Sequence, residues 1–168
     1  SWHVALWALE QGDIETMWRV YDADIAPDAA WGPALNLVTD SASLLFRAAL
    51  AGVDVPAERW RHVSGSAARL FPAPGIAFAD VHAALAHAMA GDGDALARIV
   101  ADARGPAGDT VRELAEAFGA MAAGSWAAAT RHLTAVMSDH ERIGGSRAQR
   151  DLVEYALLNA LLRQGRAD

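Results

Sequence analysis

Apolar residues recur along this chain every three or four positions, the spacing of one face of an α-helix, and no window keeps the two-residue alternation of a β-strand. Glycine, proline and short polar residues divide this pattern into separate windows. The chain is therefore predicted to be all-α with about nine helices, at residues 2–11, 14–21, 35 or 40 to 51, 56–70, 76–90, 95–103, 110–123, 126–143, and from 147 through Leu162.

Glycine follows the predicted helices at regular intervals along the chain. Gly12, Gly52, Gly91 and Gly124 are 40, 39 and 33 residues apart, and each follows a helical window, where glycine readily adopts the left-handed conformation. Units of this length, each a helix–turn–helix, are typical of an α-solenoid. Residues 124–133 resemble a tetratricopeptide hairpin and residues 12–21 are a looser copy. We predict a solenoid of degenerate tetratricopeptide-like hairpins with a terminal helix, and a compact nine-helix bundle as the alternative.

The start of the last helix has unusual chemistry. Ser146 followed by Gln149 predicts a capping box, and Gly144 and Gly145 precede it where the chain must turn. The same pattern at Thr110 and Glu113 predicts a capping box at the start of the seventh helix. These local signals predict where both helices begin.

Arg147 and Arg150 lie in the first turn of that last helix, where the helix dipole disfavours positive charge. Asp151 lies four residues after Arg147, and Glu154 four after Arg150, so ion pairs along the helix could offset the cost. We predict a structural role, in which Arg150 pairs with a carboxylate and ties the last helix to an earlier hairpin. The alternative is an arginine that faces a ligand or partner, because local rules tend to be broken at functional sites.

Length and composition narrow the functional classes. The 168 residues make one helical domain, 1–168, and the net charge of −7 argues against nucleic acid or an anionic membrane as a partner. Without cysteine there is no disulfide, thiol nucleophile or cysteine-based zinc site. No apolar run reaches the roughly 18 residues of a membrane span, and no signal peptide is recognisable. Because the chain starts without methionine, directly in a helical pattern, we expect it to be the C-terminal part of a longer protein.

A set of short segments follows in order along nearly the whole chain. The segments are Trp2-His3-x-Ala5-Leu6 with Glu10-x-Gly12, Tyr21-Asp22, Asp40-x-x-Ser43-Leu44-Leu45-x-Arg47, Gly52-Val53, Arg59-Trp60, Phe78-x-Asp80-x-His82-Ala83 and Gly144-Gly145-Ser146-x-Ala148-Gln149-Arg150-Asp151. Together they resemble the C-terminal portion of the tetratricopeptide repeat protein 38 family and its bacterial relatives. Two positions depart from that pattern, Phe46 where tryptophan is expected and Ala79 where asparagine often occurs. The resemblance implies an intracellular, cytoplasmic helical-repeat protein but no established activity.

Ionisable and amide side chains within these segments are the candidates for binding a ligand or partner. Each also has a structural interpretation: an inter-helix salt bridge for Asp40 and Arg47, and a hydrogen-bonded core position for His82, which shares an apolar face with Leu85. Asp80 is predicted to point away from His82. No catalytic residue, metal site or cofactor is assigned, since no zinc-binding spacing, phosphate-binding loop or nucleophile elbow occurs. The candidates are His3, Asp40, Arg47, Asp80, His82, Gln149, Arg150 and Asp151.

Two functional hypotheses follow. The favoured one is an interaction module whose groove holds a peptide or neighbouring protein, with the preceding repeats of the same protein packed on Trp2 and Trp7. The alternative is a small-molecule site or enzyme built from the ionisable residues of the matching segments. Convergence of these side chains in one pocket would favour the alternative, and scattered ion pairs would favour the interaction module.

Overall fold

The computed structural model describes residues 1–165 and is all-helical in that range, with nine α-helices and no strand. A π-helical turn, Tyr21–Ile25, extends the second helix, and a short 3-10 helix, His140–Ile143, precedes the last. The helices are α1 Trp2–Glu10, α2 Ile14–Val20, α3 Ala34–Leu50, α4 Ala57–Leu70, α5 Ala77–Ala90, α6 Gly93–Asp102, α7 Gly108–Ala122, α8 Trp126–Val136 and α9 Arg147–Arg163.

Glycine ends the first helix of each predicted hairpin, as the sequence indicates. The φ angles of Gly12, Gly52, Gly91 and Gly124 lie between +69° and +84°, the left-handed region that other residues rarely enter. The predicted capping box of α9 is also present, and the Gln149 side-chain oxygen accepts from the Ser146 N–H at 2.9 Å. These local predictions are confirmed.

Helix α5 lies at the centre of the packing, in contact with α3, α4, α6 and α7. Every residue from 78 to 88 is buried, and alanines make up half of that helix, so neighbouring helices approach it closely. The core continues between α3 and α7, where the rings of Phe46 and Phe118 meet edge to face with centroids 5.9 Å apart. A core of this kind buries the apolar stripe of each helix against its neighbours.

The last part of the chain returns to its first half. The 3-10 helix packs on α5 and α7, and α9 packs on both α8 and α3. At the far end of α9, the Gln164 amide donates to the Trp126 carbonyl at 3.2 Å and to the Thr130 hydroxyl, which joins the end of α9 to the start of α8. The first turns of α9 thereby come to lie beside α1 and α3.

Two predicted details are wrong. Helix α8 ends at Val136 instead of 143, because the chain turns at 137–139 so that the 3-10 helix can pack on α5. The Thr110–Glu113 capping box does not form, since α7 already begins at Gly108 and Thr110 is buried inside it. Glu113 pairs instead with His132 Nδ1 on α8, at 2.7 Å. In both cases contacts with another helix override a local signal.

Within residues 1–165, no helix is both long enough and apolar enough to cross a membrane.

Gly145→Ala is expected to destabilise the fold by about 2 kcal/mol, because alanine is strained at a left-handed φ and its methyl group would crowd a neighbouring ring. The φ of Gly145 is +84°, and an added Cβ would lie 2.5 Å from Cε2 of Phe78. Gly52→Ala is the matched control, because Gly52 has the same φ and nothing within 4 Å of an added Cβ, so it should cost about 1 kcal/mol. Urea unfolding measures both, and equal losses would show that the Phe78 contact is unimportant.

Candidate functional site

Two cavities border the region where α1, α3 and the first turns of α9 meet. The first, here called the polar cavity, has a volume of about 500 Å³. Three of the predicted site residues, His3, Asp40 and Gln149, lie in its wall, although they are far apart in the sequence. The complete wall consists of Ser1, Trp2, His3, Asp24, Ile25, Ala30, Trp31, Asn36, Leu37, Asp40, Ser146 and Gln149.

Asp40 is a partly buried carboxyl group on α3. Burial raises the pKa of Asp40 above its usual value, while a hydrogen bond from Gln149 and the nearby His3 favour the charged form and offset part of that rise. The Gln149 oxygen already accepts from the Ser146 N–H, so its amide NH₂ is the group left to donate. The capping box therefore orients Gln149 toward the aspartate.

Two tryptophans in the wall of the polar cavity differ sharply in exposure. Trp2 is buried, with its ring edge to face on His3 at a centroid distance of 5.1 Å, and its Nε1–H has no hydrogen-bond partner within the described part of the chain. Trp31 is fully exposed. It stands between Ala30 and Gly32-Pro33, in the connection between the π-helical turn and α3. A buried donor without a partner carries a desolvation penalty, and an exposed indole leaves a large apolar surface in water.

The second cavity, here called the leucine groove, has a volume of about 530 Å³ and runs between α1 and α9 over the end of α3. Leu158 and Leu162 on α9 are each about half exposed, at 53% and 52%. Arg47 also lines the groove. The groove is lined by Leu6, Leu9, Glu10, Arg47, Leu50, Ala51, Ala148, Asp151, Tyr155, Leu158, Asn159 and Leu162.

Arg47 connects α3 to α9. Its guanidinium donates to the Ala148 carbonyl and, through Nε, to the Ser43 hydroxyl at 3.4 Å. The guanidinium carbon lies 5.2 Å from the ring centroid of Tyr155 and 5.9 Å from that of Trp2, within range of cation–π attraction. Burial lowers the pKa of Arg47, while Tyr155, Asp151 and Glu10 act to raise it.

Asp80 and His82 are on α5 and line neither cavity. The Asp80 carboxylate accepts from the Gly75 N–H at 2.9 Å, which closes the loop before α5; burial raises its pKa, and hydrogen bonds from the Gly75 and Ile76 N–H groups oppose that rise. His82 is fully buried, with Nδ1 2.8 Å from the Phe78 carbonyl oxygen. His82 therefore has the hydrogen-bonded core position of its structural interpretation, and the Asp80 carboxylate has a structural role in the loop before α5.

The predicted ion pair of Arg150 is absent from residues 1–165. Glu154, its expected partner, lies 3.7 Å from His140 Nε2 instead, because the 3-10 helix brings that imidazole to the side of α9. Asp151 lies 3.9 Å from Arg147 Nε, as its spacing predicts, and also borders the leucine groove. The arginine that ties α9 to an earlier hairpin is Arg47, which the sequence interpretation placed in a salt bridge with a carboxylate.

The polar cavity also contains residues that the sequence did not single out, Asp24, Trp31 and Asn36. Trp31 could have been recognised from the sequence, because its indole lies in a connection that contains glycine and proline. Helix packing does not bury a side chain at such a position. Seven of the eight candidate residues divide into three groups, and Arg150 lines neither cavity. The groups are His3, Asp40 and Gln149 in the polar cavity, Arg47 and Asp151 in the leucine groove, and Asp80 and His82 in the core.

The wall of the polar cavity offers carboxylate, amide and imidazole groups for hydrogen bonding, and the leucine groove offers apolar surface next to charge. No cluster of three or more histidine, aspartate or glutamate side chains in residues 1–165 has the arrangement needed for a metal ion. No protein-family model and no solved structure matches this chain.

Proposed function

We propose that this chain is a helical-repeat binding module that holds an apolar segment of a peptide or protein in the leucine groove. The observation that carries the proposal is the pair of half-exposed leucines, Leu158 and Leu162, which line one groove together with Leu6, Leu9 and a positioned arginine, Arg47. Contiguous exposed apolar surface rimmed by charge is typical of a docking site.

The proposed architecture is a degenerate solenoid of tetratricopeptide-like hairpins, related to the tetratricopeptide repeat protein 38 family. Glycine-linked pairs α1/α2, α3/α4, α5/α6 and α7/α8 support it. Further support comes from the packing, in which α3 contacts α5 and α5 contacts α7, while α4 contacts α5 and α6 contacts α7. In this proposal α9 closes the last pair and forms one wall of the groove.

The charged groups around the leucine groove indicate which kind of peptide would bind there. Glu10 and Asp151 contribute carboxylates to its wall, and the Arg47 guanidinium is held by the Ala148 carbonyl and two aromatic rings. A helical peptide with leucine-sized side chains on one face and lysine or arginine beside them complements these groups. A small polar solute would leave the leucines in contact with water.

The outer face of α1 is a second proposed contact, for preceding repeats of the same protein. Val4 and Trp7 are 52% and 64% exposed on that face. Trp2, which was expected to join them, is buried against this chain and is not available to a partner.

The proposed function is tested by selecting binders from a displayed library of short helical peptides. Enriched peptides are expected to carry apolar residues at i, i+3 or i+4, and i+7, with lysine or arginine on the flanks. Leu158→Glu is expected to weaken their binding at least about tenfold, since it places an unpaired charge in the apolar contact.

The matched control is Ala97→Glu, which adds the same charge at an exposed position on α6, a helix that does not line the groove. Fluorescence anisotropy with a labelled enriched peptide measures both variants. A library without enrichment, or peptides that bind the Leu158→Glu and Ala97→Glu variants equally well, would contradict the proposed function.

A further inference from the structure

The polar cavity presents both hydrogen-bond donors and acceptors from three separate parts of the chain. Asp24 and Asp40 carry acceptor oxygens, and Asn36 and Gln149 carry amides. A complementary ligand must accept from some of these groups and donate to others. Hydroxyl groups do both, because each has one donor and two acceptor sites.

Trp31 adds a different kind of surface to the same wall. Its indole is fully exposed, in a connection where the backbone turns between the π-helical segment and α3. The indole face is therefore an apolar surface that a ligand can reach. A flat indole beside hydrogen-bonding groups suits a ring-shaped ligand with one C–H face and a periphery of hydroxyls.

The charges in the cavity decide between classes of ligand. Within residues 1–165, two aspartates, one histidine and no arginine line the cavity, and the aspartates disfavour phosphates and other anions. An organic cation would pair with the aspartates and could stack on the indole, but it offers no acceptor to the Asn36 amide. A neutral polyhydroxylated ring offers donors to the carboxylates, acceptors to the amides and a C–H face to the indole.

We propose that the polar cavity is a binding site for a neutral saccharide, with hydroxyls bonded to Asp40 and Asn36 and the C–H face of a ring on Trp31. Its volume of about 500 Å³ is within the usual range of small-ligand sites, roughly 300–1,000 Å³. The proposal does not depend on the leucine groove, which has a different wall and an apolar partner.

The test uses a panel of neutral methyl glycosides and disaccharides, titrated into ¹⁵N-labelled protein while the indole N–H signals are followed by NMR. At least one member is expected to bind with a dissociation constant of about 1 mM or lower and to shift the signals assigned to Trp2 and Trp31. Asp40→Asn and Trp31→Ala are each expected to weaken its binding at least about tenfold, because a site built to bond hydroxyls loses affinity when a partner is removed.

Trp7→Ala is the matched control, since Trp7 is also an exposed indole but lies outside the polar cavity. It is expected to leave saccharide affinity unchanged, and circular dichroism checks that each variant is folded.

Tetramethylammonium and arginine methyl ester serve as cationic probes. The proposal is overturned if no panel member binds, if a cationic probe binds more tightly than every saccharide, or if Trp31→Ala has no more effect than Trp7→Ala. Leu158→Glu separates the two sites, because it should impair peptide binding alone.

Discussion

Lowering the pH from 7 to 4 is expected to remove about 3 kcal/mol of stability through His82 alone. His82 is fully buried, and burial lowers its pKa from the usual 6.5 to about 4; the bond to the Phe78 carbonyl favours the charged form, and nearby Arg47 disfavours it. In the neutral ring Nδ1–H donates to that carbonyl at 2.8 Å, and Nε2 has no partner within residues 1–165. A second proton would therefore be a buried charge close to a guanidinium.

The direction of the effect follows from proton binding. Between pH 6.5 and 4 the unfolded chain binds a proton at this histidine and the folded chain does not, so stability is fully present above pH 6.5 and falls as the pH drops toward 4. His87, whose pKa is also lowered by burial, acts in the same direction. Asp40 and Asp80 have raised pKa values, so their contribution is present at low pH and is lost as the pH rises.

The contribution of His82 is isolated by comparing the wild type with His82→Gln, which is similar in size and does not titrate. Urea unfolding at several pH values between 7 and 4 should show a steep loss of stability for the wild type and a shallower one for the variant. The other titrating groups are common to both proteins and cancel in the difference. Parallel pH profiles would contradict the assignment to His82.

Arg47→Ala is expected to destabilise the fold by about 3 kcal/mol, because it removes a charge-assisted hydrogen bond and two cation–π contacts. Arg47 lies between the rings of Trp2 and Tyr155 and donates to the Ala148 carbonyl, so it joins α1, α3 and α9 at one point. Arg47→Lys should recover part of the loss, because an ammonium group keeps the charge but not the planar fork.

Arg150→Ala is the matched control for Arg47→Ala. Arg150 is also partly exposed and lies on α9, but it forms no ion pair in residues 1–165, so its removal should change stability by no more than about 0.5 kcal/mol. Thermal and urea unfolding measure the stability of the two variants. A loss at Arg150→Ala as large as that at Arg47→Ala would restore the structural role that the sequence suggested for Arg150.

Local features of this chain were determined by the sequence itself. The hairpin glycines, the helix windows and the Ser146–Gln149 capping box depend on groups within about four residues of one another, and each carries its own signal. The local signal failed at Thr110, where the carboxylate needed for the capping box binds an imidazole on another helix.

The candidate site was decided by the tertiary structure. The polar cavity brings together His3, Asp40 and Gln149 because α9 packs on α3. The spacing of these residues along the chain does not predict that packing. The same packing takes Glu154 away from Arg150 and places the Ala148 carbonyl against Arg47. Periodicity determines which face of a helix is apolar, whereas the neighbour that covers it depends on the packing of the whole chain, and so do the partners of each charge.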